Sequence, residues 1–235
     1  MITRLVVNGC SYMNHYAQGN GHKDLAEQLG IAESMSLALP GSCNSRIIRT
    51  TLKDSYTTQQ ATLYVVGLSF VHRNELPVGR GNDFEGRWLS FQFEIDPEKI
   101  DSYYWLQSDS KRAVECFSKL TLFALDDQLE HLMFSMLAMI SDLVQRGHRV
   151  VIFRQPPEAY VDLKVLDKER FKFLKNCANI VDGLAWGSLE FQKEKGIKYV
   201  SEDAHLPEIM RHPAPGEHLH LNKFLVKYIT THKLL

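Results

Sequence analysis

Ser11 follows Asn8-Gly9-Cys10, at the point where a short β-branched run ends, and His212 stands before Pro213, just ahead of the last stretch with helical spacing. A serine hydroxyl is a weak nucleophile until a base takes its proton, and an imidazole titrates close to neutral pH. The two together could carry acyl transfer. That chemistry also needs donors for a developing oxyanion. Gly41, in Pro40-Gly41-Ser42-Cys43-Asn44, lets a backbone come close to a substrate because it has no Cβ. Asn44 offers an amide donor, and Ser69, in Gly67-Leu68-Ser69, offers a hydroxyl or its backbone. Two acids, Glu208 and Asp203, precede His212. Arg73 and Glu75 follow the third of these loops, where they could hold a polar or anionic part of a substrate or form a surface ion pair of little energetic weight.

Each residue also has a plainer use. Ser after Gly commonly caps a helix or closes a turn. Cys10 is a rival nucleophile, but strand alternation puts it opposite Ser11, as a small buried hydrophobe. Cys43 reads as packing. His205, His218 and His220 compete with His212 for the role of base, and His218 and His220 fit surface or capping positions at the start of the last helix. Four histidines within sixteen residues raise metal binding, but they lack ligand spacing, so no metal is expected.

These residues gain meaning from the elements around them. Apolar runs predict strands at residues 5–7, 34–39, 63–66 and 149–153, with a short one at 197–200. Helical patterns are expected at about 23–29, from Asn44 or Ser45 to 53, over 111–146, at 168–175, at 181–192 and at 217–230. Alternation of helices with wholly apolar strands predicts a mostly parallel sheet covered on both faces. The expected fold is a three-layer α/β/α sandwich, flavodoxin-like, with about five strands. Residues 73–110 hold turn residues, among them Arg80-Gly81-Asn82-Asp83, and a density of aromatics without a sustained period. They read as an insertion or lid on a single domain spanning 1–235. In such folds sites form beyond the carboxyl ends of the strands, where strand order reverses, and Ser11, Gly41, Asn44 and Ser69 all fall just after strands.

Composition excludes other classes. The 235 residues are 44% hydrophobic and 23% charged, which suits a folded domain able to bury a large core. A net charge of −1 argues against nucleic acid held by bulk electrostatics. Four scattered cysteines without a CxxC pair suit a reducing compartment. The opening MITRLVVNGC does not read as a secretion signal, and no apolar run approaches the length of a membrane helix. A cytoplasmic protein is expected, with no membrane partner.

In order and spacing these clusters resemble the four conserved blocks of the GDSL/SGNH hydrolases. Asn8-Gly9-Cys10-Ser11 looks like the first block in a Gly-Cys-Ser form, Leu39 to Asn44 the second, Val66 to Ser69 the third, and His212-Pro213 with Gly216 and His218 the last. The Gly-Cys-Ser start also resembles SGNH-type proteins of bacteriophages and bacteria, which implies a host-cytoplasm or virion setting if phage-encoded. The resemblance implies ester hydrolysis, of the esterase or deacetylase kind, with Ser11 as nucleophile, His212 as base and Gly41 as an oxyanion donor. It implies no cofactor and a small-molecule or glycan ester as substrate, with a homo-oligomer as an open option. Two positions depart from the pattern. Ser69 stands where the family carries Asn, so Asn44 is expected to help. Ile209 stands where the family carries an acid three residues before the histidine, and neither Glu208 nor Asp203 has that spacing. Either a triad completed by Glu208 or Asp203 or a Ser–His dyad oriented by a backbone carbonyl is the expectation that follows. The departures also leave a catalytically weak SGNH-like binding or phage accessory protein as the alternative. A flavodoxin-like nucleotide binder is the third reading, without a GxGxxG or P-loop to support it.

Overall fold

The apolar run near the N-terminus becomes β1 (Arg4–Asn8), every residue of it buried. β3 (Thr62–Leu68) is buried along its whole length as well. Strands with no wet face must lie in the middle of a sheet covered on both sides, and this is where the computed structural model places them. It describes residues 1–69, 73–77, 88–92, 125–154, 179–185, 195–205, 212–214 and 216–235. β2 (Glu33–Ser36), β6 (Arg149–Arg154) and β7 (Ile180–Ala185) complete a five-stranded parallel sheet in the order β2-β1-β3-β6-β7. Strand order reverses between β1 and β3, so the expected flavodoxin-like arrangement is observed.

Alternation along the strands builds two cores. Val6, Tyr64, Val66, Val150 and Ile152 face α3 (Asn44–Thr57) and α4 (Leu125–Gln145), meeting Ile47, Met133, Met136 and Leu143. Leu5, Val7, Leu63, Val65, Val151 and Phe153 face the other way. They meet Tyr12, Met13 and Tyr16 of α1 (Ser11–Gln18), Leu25 of α2 (Gly21–Gln28), and Leu221, Leu225 and Ile229 of α5 (His218–Thr231). Each fully buried aliphatic side chain contributes about 1.5–3 kcal/mol, so the strands at the centre of the sheet are the rigid frame for whatever lies at their ends.

Several elements differ from expectation. The fifth strand is β7, where a helix over 181–192 was expected; pairing beside β6 outweighs the low strand propensity of Asp182 and Gly183. Residues 197–200 do not join the sheet. Tyr199 instead makes an isolated antiparallel bridge with Pro213. A helix begins at once at Ser11, where no helix was expected before residue 23. α3 is capped by Cys43, whose Sγ accepts the Arg46 backbone N–H at 3.4 Å, so Asn44 and Ser45 lie inside the helix and not at its cap. The region without a period contains an antiparallel hairpin, β4 (Arg73–Pro77) with β5 (Trp88–Gln92). The turn expected at 80–83, the helix expected at 168–175 and the first part of the helical stretch from 111 lie outside the described residues. Among the described residues, no helix is long and apolar enough to cross a membrane.

Candidate functional site

Three loops leave the carboxyl ends of β1, β2 and β3, and hydrogen bonds tie them to one another. After β2 the chain stays extended: the Leu37 N–H donates to the Val7 carbonyl at 2.8 Å and the Leu39 N–H to the Gly9 carbonyl at 3.2 Å. The second loop is thereby laid against the turn that carries Ser11. It is braced from behind by the buried Arg46, whose guanidinium donates to the Ser42 hydroxyl oxygen at 3.0 Å. The Ser42 hydroxyl in turn donates to the Leu39 carbonyl at 2.7 Å. At the tip of this loop Gly41 has φ +77°, is exposed, and has open space where a Cβ would stand. The glycine is required there by its backbone conformation and not by crowding.

Asn44 joins the second loop to the third. Its Oδ1 accepts the Ser69 N–H at 2.8 Å, and its Nδ2 donates to the Ser69 carbonyl at 3.0 Å. Both residues are buried. The Asn44 carbonyl oxygen, one of its amide hydrogens and the Ser69 backbone are therefore committed to fastening two loops. Asn8, at the end of β1, performs a similar task. Its Nδ2 reaches the Ile47 carbonyl and the hydroxyls of Thr50 and Thr51, and its Oδ1 accepts the Gly9 N–H at 2.8 Å. These contacts hold the strand end before Ser11 against α3.

Ser11 is the first residue of α1 and is half-buried. Cys10, the residue before it, occupies the N-cap and is fully buried. The backbone N–H groups of a first helical turn have no acceptor within the helix. They and the helix dipole favour negative charge at this point.

His212 approaches the same turn from the other side. Its ring lies 4.4 Å from the ring of His15, nearly parallel at 22°, and 4.9 Å from the ring of Tyr12. Residues four apart on a helix share a face, so His15 stands one turn beyond Ser11, and the His212 ring packs on α1 at Tyr12 and His15. The other side of the imidazole is fixed by an acid. His212 Nδ1 lies 2.7 Å from Asp203 Oδ2, and the same oxygen accepts the His212 backbone N–H at 2.8 Å. Burial works to raise the Asp203 carboxyl, but the hydrogen bonds from the His212 backbone and ring outweigh it and hold its pKa below the ordinary value. Asp203 is thus ionised at neutral pH, and the His212 Nδ1 carries the proton it accepts. Of the partners expected for the imidazole, Asp203 is the one found against Nδ1.

The remaining histidines are placed elsewhere. His218 Nε2 lies 2.7 Å from Asp24 Oδ2, joining α5 to α2, and His220 pairs loosely with Glu217 at 3.7 Å. His205 ends a 3-10 turn (Ser201–His205). No three His, Cys, Asp or Glu side chains gather as a metal would require among the described residues. Arg73 and Glu75 stand at alternate positions of β4, opposite Gln92 and Ser90. Glu208 lies outside the described residues. His15 and Tyr12 are the neighbours that sequence reading missed. Their signal was the spacing from Ser11, visible only once 11–18 is known to be helical.

Among solved structures, the chain is similar to the psychrotrophic esterase EstA from Pseudoalteromonas sp., at 8% identity and a TM-score of 0.50, with 97% of each chain covered. It is also similar to a GDSL-like lipase from Bacteroides thetaiotaomicron, at 9% identity and a TM-score of 0.44, with 97% of this chain and 88% of that one covered. No family profile and no curated protein matches the chain. The likeness to the esterase EstA is one of fold.

Proposed function

We propose that the chain is a serine hydrolase of the SGNH type that cleaves a carboxylic or acetyl ester, with Ser11, His212 and Asp203 as its triad. The observation that carries this reading is the Asp203–His212 pair, with the His212 ring packed on Tyr12 and His15 of the helix that begins at Ser11. With Nδ1 bound to Asp203, Nε2 is the nitrogen left to take a proton. The Ser11 oxygen attacks the ester carbonyl as Nε2 removes the hydroxyl proton. The C–O bond to the leaving alcohol then breaks, and Nε2 returns the proton to the alcohol oxygen. Water repeats the sequence on the acyl-serine. The Ser11 N–H, at the positive end of α1, and the Gly41 N–H are the oxyanion donors. Asn44 and Ser69 serve by holding the loops in register, since their polar groups already bond each other. The esterase EstA was solved as a form inhibited by monoethylphosphonate, and a phosphonate is accordingly the reagent of choice. A fluorophosphonate probe is expected to label Ser11 of the wild type stoichiometrically, and Ser11→Ala and His212→Ala are expected to abolish labelling. A folded wild type that takes no label would reject the hydrolase reading in favour of a catalytically silent binding protein on the same fold.

A further inference from the structure

We infer that His15 is a positioning residue for the proposed base, its ring face setting the angle at which the His212 imidazole meets Ser11. This deepens the triad reading above and rests on it. Asp203 holds the His212 backbone N–H and, on the ring, Nδ1 alone, and a ring held at one nitrogen can still tilt about that hydrogen bond. The stack with His15, at 4.4 Å and 22°, removes this freedom, and the tilted Tyr12 ring at 4.9 Å closes another side. Both partners come from α1, the helix that begins with Ser11. The nucleophile and the two rings on which the base packs therefore share one helix. His15 is suited to this by charge as well as by shape. The groups facing it are His212 and Asp203. Burial first, and then the neighbouring His212, lower its pKa, so it is neutral when His212 takes up the serine proton. A neutral aromatic face attracts that transient cation, whereas a protonated His15 would repel it.

The test compares His15→Ala with His15→Phe, which keeps a flat ring but no ring nitrogen, using p-nitrophenyl acetate as substrate. His15→Ala is expected to lower kcat by about 10–100-fold with KM little changed, the scale of a misplaced catalytic group. His15→Phe is expected to recover most of that loss. Equal kcat in wild type and His15→Ala, or a His15→Phe variant as slow as His15→Ala while still folded, would overturn the inference. A second readout does not need turnover. The ring protons of His212 and its low-field Nδ1 proton, observed by NMR in full-length protein, are expected to move in His15→Ala. Unmoved His212 resonances refute positioning by His15 even if no ester is ever cleaved. A wild type without turnover whose His212 signals do move refutes the hydrolase reading and leaves the contact standing.

Discussion

One carboxylate oxygen of Asp203 accepts two hydrogen bonds from a single residue, His212, at 2.7 Å from the ring Nδ1 and 2.8 Å from the backbone nitrogen. The double contact favours one tautomer and holds the backbone in place. Asp203→Asn can no longer favour the tautomer with the proton on Nδ1. It is expected to lower kcat by about 10³–10⁴-fold, as for other Ser–His–Asp sites, with little change in thermal stability because the pair is partly exposed. An Asp203→Asn variant with wild-type kcat would show that His212 needs no acid.

The Asn44–Ser69 clamp makes a second case. Asn44→Ala would leave a buried N–H and a buried carbonyl of Ser69 without their partner. Loss of a partner to a buried group costs roughly 1–3 kcal/mol each, so a destabilisation of about 2–6 kcal/mol is expected in urea unfolding. Probe labelling at Ser11 should also slow, because the second and third loops lose their fastening. A stability change below about 0.5 kcal/mol, the level of ordinary surface substitutions, would mean that the clamp is not what holds these loops.

What could be read from the sequence follows from the range of the interactions involved. β1, β3 and β6 announce themselves as buried β-branched runs, and Gly41 and Gly30 as turn residues with positive φ. That Ser11 follows β1 and Gly41 follows β2 is legible because each strand end is marked by its own residues. Asp203 is a candidate acid beside Glu208, but it lacks the family spacing and nothing local sets the two apart. It reaches His212 through a short antiparallel ribbon: the Val200 N–H donates to the His212 carbonyl at 2.9 Å, and the Ala214 N–H to the Lys198 carbonyl at 2.8 Å. That pairing diverts residues 197–200 from the sheet and closes a loop that places the acid nine residues before the base. β7 was hidden for a similar reason, since only its neighbour β6 makes a strand of a segment containing Asp182 and Gly183.

Gly21 gives a prediction in which two effects oppose. It lies in α2, where alanine would be favoured over glycine by about 1 kcal/mol on helix propensity. A Cβ there would stand 2.4 Å from the Tyr16 ring. The ring cannot swing away freely, because its hydroxyl lies 2.8 Å from the Gly21 carbonyl and 2.7 Å from Asn222 Oδ1 on α5. Overpacking of this kind costs about 1–3 kcal/mol and should win. Gly21→Ala is expected to lower Tm, and Tyr16→Leu in the same background to restore part of the loss. A Tm raised by Gly21→Ala alone would show that α1 and α2 have slack between them.

The pH dependence of stability follows from three histidines. His15, His22 and His148 all have pKa values lowered in the fold, burial being the first cause in each. A histidine with a lowered folded value binds fewer protons in the folded state than in the unfolded one. Stability therefore rises with pH through the window below the ordinary histidine value and is lost on acidification through it. Asp54 and Asp203, whose folded values lie below the ordinary carboxylate value, extend the loss to lower pH as they too become protonated. His148 has the clearest structural cost, because its Nδ1 accepts the Thr62 N–H at 3.3 Å, and a proton on that nitrogen would remove the acceptor at the start of β3. Thermal unfolding measured from pH 7.5 to 5 is expected to show a falling Tm, with a shallower slope in His148→Gln, whose side-chain oxygen can accept but does not titrate. A Tm that is flat across this range would refute the prediction, and an unchanged slope in the variant would assign the acid sensitivity to other groups.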